Sequence, residues 1–283
     1  MGAINEHTVD LNGMRVQYYS AGIKGSPVVL LHGGGTDSAM LSWREALPVL
    51  AEEHLVFAPN WPGYGKSQFF PEGGYSFSQM TTWLECLLAH WGLDCASLVG
   101  VSMGGGGALA YTLAYPSRVE RLVLVDSYGL SRYAPSHKLS YLMVRMRGLM
   151  DWSWTMVRKN KKLARWSLQS IFADRRNITD ELVDEVFEAV QNTSAQQAFA
   201  EFQRAELGWK ELKTCFVDRM DEIQARTLII HGEKDGLVPV AEAKEAARKI
   251  ANARLEVIAN AGHWPMREQP EVFNRLLVNF LGD

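Results

Sequence analysis

Short apolar runs alternate with longer amphipathic segments through residues 1–127. The runs VVLLH, SLVG and RLVLVD contain no polar alternation, which is typical of parallel strands that helices cover on both faces. The pattern predicts strands at residues 14–20, 28–32, 55–58, 97–100 and 121–126. It predicts helices at residues 43–52, 78–91 and 103–115. This alternation indicates βαβ units in a mostly parallel sheet, and hence an α/β fold.

From about residue 128 to residue 221 the pattern changes to helical periodicity, in a segment rich in Met, Trp, Arg and Lys. Strand and helix patterns then resume, with the strands TLIIH and RLEVI and with helices at residues 240–250 and 271–281. We therefore expect one α/β core formed by residues 1–127 and 222–283. Residues 128–221 are expected to be a helical cap, or lid, inserted into that core.

The composition is that of a globular protein, because 47% of the 283 residues are hydrophobic and 22% are charged. A net charge of -3 supplies no positive field for a phosphate backbone, so we expect no nucleic-acid partner. The three cysteines have no CxxC spacing, the N-terminus lacks the pattern of a secretion signal, and no apolar run approaches the roughly 18 residues of a membrane span. We expect a cytoplasmic protein without membrane insertion, and the composition leaves a homodimer open.

The segment Gly100-Val101-Ser102-Met103-Gly104 lies between a predicted buried strand and a predicted helix. This is the GxSxG pattern in the context that a nucleophile on a sharp strand-to-helix turn requires. Small residues on both sides leave room for the turn, and we predict that Ser102 is the nucleophile. The Met103 amide at the start of the helix is a candidate oxyanion donor.

Three glycines follow the predicted strand VVLLH, in the segment His32-Gly33-Gly34-Gly35. Without side chains, such a loop can direct a backbone N–H at the same oxyanion, and we expect Gly34 to be this second donor. His32 ends a strand, so we interpret it as a structural histidine rather than a proton carrier.

A serine hydroxyl needs a base, because it is barely ionised at neutral pH. His263 follows the strand RLEVI in a loop, and loops at the carboxyl ends of parallel strands form the sites of such sheets. We predict that His263 is the general base. The other six histidines lie in segments that favour structural or surface roles.

The base needs a carboxylate that orients it. Asp235 follows the strand TLIIH, and it gives the chain order Ser, Asp, His. Glu233 in the same loop and Asp126 at the end of RLVLVD are alternatives. We favour Asp235.

Apolar side chains of the cap could wall a substrate pocket, although about half of them should belong to the core of the cap. They are Trp152, Trp154, Trp166, Met143, Met146, Met150 and Met156. Our candidates for the pocket lining are Gly35, Trp264, Trp152 and Met146. The basic run over residues 158–165 is interpreted as the solvated face of a cap helix. No residue pattern indicates a metal or an organic cofactor.

The segments HGGG, PGYGKS, GVSMGG, HGEKD and AGHW, in this order, resemble the α/β-hydrolase superfamily across nearly the whole chain. The sequence is most similar to the branch of carboxylesterases and carbon-carbon bond (meta-cleavage product) hydrolases. The resemblance implies a mostly parallel central sheet flanked by helices, with a helical cap inserted after strand 6. It also implies hydrolysis without a metal or an organic cofactor.

Two residues depart from the carbon-carbon hydrolases that the sequence resembles. That group usually has Asn before the nucleophile and Arg in the cap, where this chain has Val101 and Val186. We therefore expect cleavage of a small-molecule ester with an apolar acyl or aryl part, through an acyl-enzyme. The alternatives are a carbon-carbon bond hydrolase that acts on a ring-cleavage dienol acid, and a non-catalytic receptor on the same fold.

Overall fold

A single sheet of eight strands forms the centre of the computed structural model, which describes residues 3–70 and 74–283. The spatial order of the strands is β1-β2-β4-β3-β5-β6-β7-β8. β1 pairs with β2, and β2 with β4, in the antiparallel sense, and all other neighbours are parallel. The strands are β1 (Asn5–Leu11), β2 (Met14–Ala21), β3 (Pro27–Leu31), β4 (Leu55–Pro59), β5 (Ala96–Val101), β6 (Val119–Val125), β7 (Arg226–Gly232) and β8 (Ala253–Ile258).

Helices cover both faces of this sheet, which buries every residue of β5 and almost every residue of β3. The core helices are α1 (Ala39–Trp43), α2 (Leu47–Leu50), α3 (Phe77–His90), α4 (Met103–Ala114), α10 (Val240–Lys249), α11 (Pro265–Glu268) and α12 (Pro270–Gly282). Two apolar clusters, one on each face, account for the uninterrupted apolar runs in the sequence.

Five further helices lie between β6 and β7. They are α5 (His137–Arg145), α6 (Arg147–Lys159), α7 (Lys161–Leu168), α8 (Asp180–Ala189) and α9 (Thr193–Glu206). Part of this cap packs on the core, since Phe172 and Val186 belong to the same apolar cluster as Trp264. None of the helices within residues 3–70 and 74–283 is both long enough and apolar enough to cross a membrane.

The structure differs from the predicted elements at the N-terminal half of the sheet. The predicted helix at 43–52 is two short helices, because Pro48 in the first turn of α2 has no amide hydrogen to continue a preceding helix. β1 was not predicted. Its residues alternate between exposed and half-buried positions, and it is held by backbone pairing with β2 rather than by an apolar run.

Candidate active site

Ser102 occupies a strained turn between β5 and α4. Its backbone has a φ of 51° and a ψ of -119°, in a region that residues with side chains seldom adopt. A Cβ atom on Gly100 would overlap the Gly104 carbonyl oxygen, and one on Gly104 would overlap the Leu31 carbonyl oxygen. The two glycines of the GxSxG pattern are therefore required by close packing, which lifts Ser102 towards the cavity.

Backbone hydrogen bonds hold the turn in place. The Ser102 amide donates to the Val125 carbonyl at 2.9 Å, and the Tyr128 amide donates to the Ser102 carbonyl at 3.0 Å. Both partners come from the end of β6 and the segment after it. The sheet and the start of the cap thus fix the position of this serine together.

His263 and Asp235 form a hydrogen-bonded pair. The Nδ1 atom of His263 donates to Asp235 Oδ2 at 2.8 Å, so Nε2 is the ring nitrogen left for Ser102. The two side chains of Ser102 and His263 line the same cavities. The His263 amide donates to the carbonyl of Ile171 in the cap at 2.7 Å, which ties the histidine loop to the cap.

Asp235 is held as a carboxylate. Its Oδ1 atom accepts hydrogen bonds from the amides of Leu237 at 2.7 Å and Val238 at 3.1 Å. Burial opposes ionisation, but the hydrogen bond and the charge of His263, aided by the Leu237 amide, outweigh it and lower the pKa of Asp235. A carboxylate at this position orients the imidazole and stabilises its protonated form.

Asp126, the alternative acid, lies beside this pair, but it is Asp235 that is hydrogen-bonded to His263. It is fully buried, and its Oδ1 atom accepts a hydrogen bond from the Gly232 amide at 2.9 Å. Burial and then the charge of Asp235 raise the pKa of Asp126 well above its usual range, which favours the protonated form of this carboxyl. The other alternative, Glu233, is exposed and accepts a hydrogen bond from the Asn260 amide.

The donor atoms of Asp126, Asp235 and His263 lie within 4.8 Å of one another, as three metal ligands could. His263 Nδ1 is already hydrogen-bonded to Asp235, and a protonated Asp126 is a poor ligand. The arrangement therefore suits proton transfer better than metal binding.

Two buried histidines stabilise the loops around the site. Burial lowers the pKa of His32 to about 3, and its Nε2 atom accepts a hydrogen bond from the Trp61 amide at 3.1 Å. Burial also lowers the pKa of His231, whose Nε2 atom donates to the Val238 carbonyl at 2.9 Å. The lowered pKa values favour neutral rings, and each ring stabilises a neighbouring loop through its hydrogen bond.

The amides of Gly34 and Met103 are the predicted oxyanion donors. Neither has a hydrogen-bond partner in the described part of the chain, and their residues line the cavities that contain Ser102. A Cβ atom on Gly34 would overlap the ring of Phe199. Packing against Phe199 thus requires glycine at this position.

Asp37 fixes the glycine loop, a role that the sequence did not suggest to us. Its Oδ2 atom accepts hydrogen bonds from the Gly33 amide at 2.7 Å and from Ser42 Oγ at 2.6 Å, and its Oδ1 atom accepts one from the Ser38 amide at 2.7 Å. Burial raises the pKa of Asp37 to about 6 against these hydrogen bonds. The signal available was an Asp directly after HGGGT, since Asp commonly caps nearby amides.

Two cavities meet at Ser102 and His263. The first, the Val186 chamber, has a volume of about 340 Å³, and the second, the Tyr128 chamber, about 310 Å³. The Val186 chamber is lined by Gly33, Gly34, Gly35, Thr36, Asp37, Val101, Trp154, Ser167, Leu168, Ser170, Ile171, Val186, Phe199, Leu237 and Trp264 as well as Ser102 and His263. A bound carbonyl group at Ser102 can therefore extend one substituent into each chamber.

The structure corrects two of the predicted lining residues. Gly35 and Trp264 line the Val186 chamber, but Trp152 and Met146 do not, and their exposed fractions are 61% and 54%. Trp154 lines the chamber instead. Residues two positions apart on a helix are separated by about 200° of rotation, so Trp152 and Trp154 lie on opposite faces of α6. Apolar character alone did not reveal which face the core would cover.

Comparisons with known proteins show the family of the chain. The family model of the alpha/beta hydrolase fold matches residues 26–270. The chain is 30% identical to the 2-hydroxy-6-oxo-6-phenylhexa-2,4-dienoate hydrolase of Comamonas testosteroni, over 96% of this chain and 93% of that protein. It is 31% identical to the 2-hydroxy-6-oxo-2,4-heptadienoate hydrolase of Pseudomonas putida, over 91% and 89%.

Among solved structures, a meta-cleavage product hydrolase variant from Pseudomonas fluorescens superposes with a TM-score of 0.82. It is 28% identical, with 98% of this chain and 97% of the other covered. The expectation of ester hydrolysis is wrong in view of these names, which fit the alternative of carbon-carbon bond hydrolysis better. The predicted fold and the resemblance to this branch are confirmed, and the chain is a hydrolase that belongs to the alpha/beta hydrolase fold family.

Proposed function

We propose that the chain hydrolyses a carbon-carbon bond next to a ketone, with Ser102 as nucleophile, His263 as general base and Asp235 as the carboxylate that orients it. The observation that carries this proposal is the junction of two chambers at Ser102, beside the hydrogen-bonded pair of His263 and Asp235. A carbonyl between two long arms fits this junction. The relatives are named for 2-hydroxy-6-oxo-dienoates, whose C6 ketone carries the dienoate chain on one side and a phenyl or a methyl group on the other.

Breaking a carbon-carbon bond requires a place for its electron pair. In a 2-hydroxy-6-oxo-2,4-dienoate, loss of the hydroxyl proton at C2 and gain of a proton at C5 produce a ketone at C2 that is conjugated with C3 and C4. The pair from the C5–C6 bond can then move into this conjugated system. His263 is the side chain at the junction that can move protons, and general acid and base catalysis of this kind contributes about 10²–10⁴ in rate.

Ser102 then attacks the C6 carbonyl while His263 takes its proton. The amides of Gly34 and Met103 donate to the resulting oxyanion. Collapse of the adduct breaks the C5–C6 bond, and the dienolate that leaves is protonated to a 2-hydroxydiene. The acyl group stays on Ser102 until water, activated by His263, releases it as a carboxylic acid.

The lining of the Val186 chamber favours a weakly charged substrate arm. Its side chains include Val101 and Val186 together with several hydroxyl groups, but neither Lys nor Arg occurs among the described lining residues of either chamber. A buried carboxylate would gain no ion pair there. We therefore expect a high KM for an ionised dienoate and a lower one for an analogue that lacks the charge.

The test is the disappearance of 2-hydroxy-6-oxo-6-phenylhexa-2,4-dienoate and the release of benzoate, measured for the wild-type protein, Ser102→Ala and Ser170→Ala. Ser170 lines the same chamber without a role in the proposed chemistry. Benzoate release that is lost only in Ser102→Ala supports the proposal. Wild-type protein that binds the dienoate but releases no benzoate would instead support a receptor.

A further inference from the structure

One outer face of the cap carries large apolar side chains that no other part of the described chain covers. On α5 and α6 these residues are spaced by three or four positions, which places them along one side of each helix. We call this surface the α5–α6 face; it consists of Leu139, Leu142, Met143, Met146, Leu149 and Trp152, with exposed fractions from 40% to 61%. α6 itself has no buried residue. Contiguous apolar exposure of this kind marks an interaction site.

The same segment is strongly basic. Residues 137–165 contain eight Lys and Arg residues and one acidic residue, Asp151, although the whole chain has a net charge of -3. Five of these cations are exposed and form no ion pair with any described residue: Lys138, Arg145, Arg147, Lys159 and Lys162. The cap therefore presents apolar side chains and free positive charge together.

We infer that the α5–α6 face adsorbs to the surface of an anionic phospholipid bilayer. Basic amphipathic helices with Trp and Leu on the apolar side lie in the membrane interface, with the apolar side chains among the upper acyl chains and the cations at the headgroups. Each Lys or Arg near an anionic surface adds attraction. Adsorption of this type needs no helix that crosses the bilayer.

The charge of this face argues against a second copy of the chain as its partner. A twofold dimer through this surface would place like charges opposite each other. Three of the five acidic residues of α8 are already paired within the cap and core, Asp180 with Arg165, Asp184 with Lys161, and Glu185 with Arg44 and Arg267. These three are not available to neutralise the face of a neighbouring copy, which leaves only Glu181 and Glu188 of α8 against the cations of that face.

A nucleic acid would satisfy the cations but not the apolar stripe. Phosphate backbones provide no apolar phase for Leu142 or Trp152, and both side chains would stay in water. An anionic bilayer supplies both the negative charge and the apolar phase.

Adsorption would place the wall of the active site at the lipid surface. Trp154 lines the Val186 chamber, while Trp152 on the opposite side of α6 is part of the α5–α6 face. Apolar compounds concentrate in bilayers, so a substrate dissolved in lipid would meet the protein next to this helix. The adsorption itself does not depend on the reaction proposed above.

The experiment is co-sedimentation of the full chain with vesicles of phosphatidylcholine, with and without phosphatidylglycerol. We expect binding to the anionic vesicles at about 0.05 M salt and much weaker binding at about 0.5 M, because salt screens surface charges. The charge variant is Arg147→Gln with Lys159→Gln, and the apolar variant is Leu142→Ser with Trp152→Ser. The control is Ile23→Ser with Lys24→Gln, which removes an exposed apolar residue and a cation from the surface of the α/β core, away from the cap.

Removal of two cations should lower the partition coefficient about 25-fold, at about fivefold for each charge. The apolar variant should also lose binding, while the control pair should bind like the wild-type protein. Unchanged circular dichroism spectra show that each variant is folded. Absence of wild-type binding, or equal binding by all variants, would overturn the inference. The inference would also be overturned if the wild-type protein does not bind vesicles but forms a dimer in sedimentation velocity that Trp152→Ser abolishes.

Discussion

The Oδ2 atom of Asp37 lies 2.7 Å from the Gly33 amide nitrogen and accepts its hydrogen bond. This contact anchors the loop one residue before Gly34, whose amide is the proposed oxyanion donor. Asp37 also accepts a hydrogen bond from Ser42, which in turn accepts one from the ring nitrogen of Trp264 at 3.3 Å. The oxyanion loop and the loop of His263 are therefore linked through one buried carboxylate.

Replacement of Asp37 by Asn should lower kcat by about 10-fold to 100-fold, because small displacements of an oxyanion donor are costly. The NH₂ group of Asn cannot accept a hydrogen bond from the backbone amides that donate to Asp37. KM should change little, since Asp37 holds the loop rather than a substrate arm. Steady-state kinetics of Asp37→Asn beside Asp10→Asn, an exposed carboxylate on β1, would measure this. A change in KM alone would contradict it.

The stability of the fold should depend on pH through Asp37. Burial raises the pKa of Asp37 from 3.8 to about 6, so the folded chain takes up this proton at a higher pH than the unfolded chain. The contribution of Asp37 to stability therefore increases as the pH falls through about 6, and the gain is complete below about 4. Wild-type protein should gain about 3 kcal/mol relative to Asp37→Asn between about pH 7 and pH 4, measured by urea unfolding. An equal pH dependence of both proteins would contradict the assignment.

Asp126 and Asp235 should respond differently to the same substitution. Burial and the charge of Asp235 favour the protonated form of Asp126, so Asp126→Asn, which also offers a donor and an acceptor, should retain most of the activity. Asp235→Asn changes the tautomer of His263 and should reduce kcat by roughly 10⁴. The pair of variants, assayed under identical conditions, is its own control. A larger loss in Asp126→Asn would make Asp126 the functional acid.

The motifs predicted the centre of the site better than its walls. Ser102 and His263 could be found because a strand-to-helix turn and a loop after a strand restrict the sequence locally. Trp152 and Trp154 show the limit of such reasoning, because both are apolar and helical, and only the packing of α6 distinguishes the outer face from the cavity. Asp37 was missed for a related reason, since the value of a single carboxylate depends on which amides the folded loop presents to it.

Introduction of an arginine into the Val186 chamber should improve the cleavage of ionised dienoates. Val186 lines the chamber, and hydrogen bonds to charged groups contribute about 1.5–3 kcal/mol. Val186→Arg should therefore raise kcat/KM for the dienoate by about 10-fold to 100-fold, with a smaller effect on an uncharged analogue. Val186→Met controls for the change in volume. Equal effects on both substrates would show that charge is not what limits binding in this chamber.

Gly104 should tolerate alanine far less well than Gly148. A Cβ atom on Gly104 would overlap the carbonyl oxygen of Leu31, and Gly104→Ala must push α4 away from β3, at a cost of about 1–3 kcal/mol or more. Gly148 lies in α6 with nothing within 4 Å of its Cβ position. Gly148→Ala should therefore be neutral or stabilise the helix by up to about 1 kcal/mol.

Thermal unfolding of Gly104→Ala and Gly148→Ala measures this difference in stability. The turnover number of Gly104→Ala then shows whether the glycine is needed only for packing or also for the turn at Ser102. If Gly104 is needed for the strand-to-helix turn at Ser102 as well as for packing, Gly104→Ala will lose activity even at temperatures where it remains folded. The displaced α4 carries the Met103 amide away from the oxyanion. Full activity per folded molecule would mean that the turn at Ser102 tolerates the displacement of α4, and that Gly104 is needed for close packing alone.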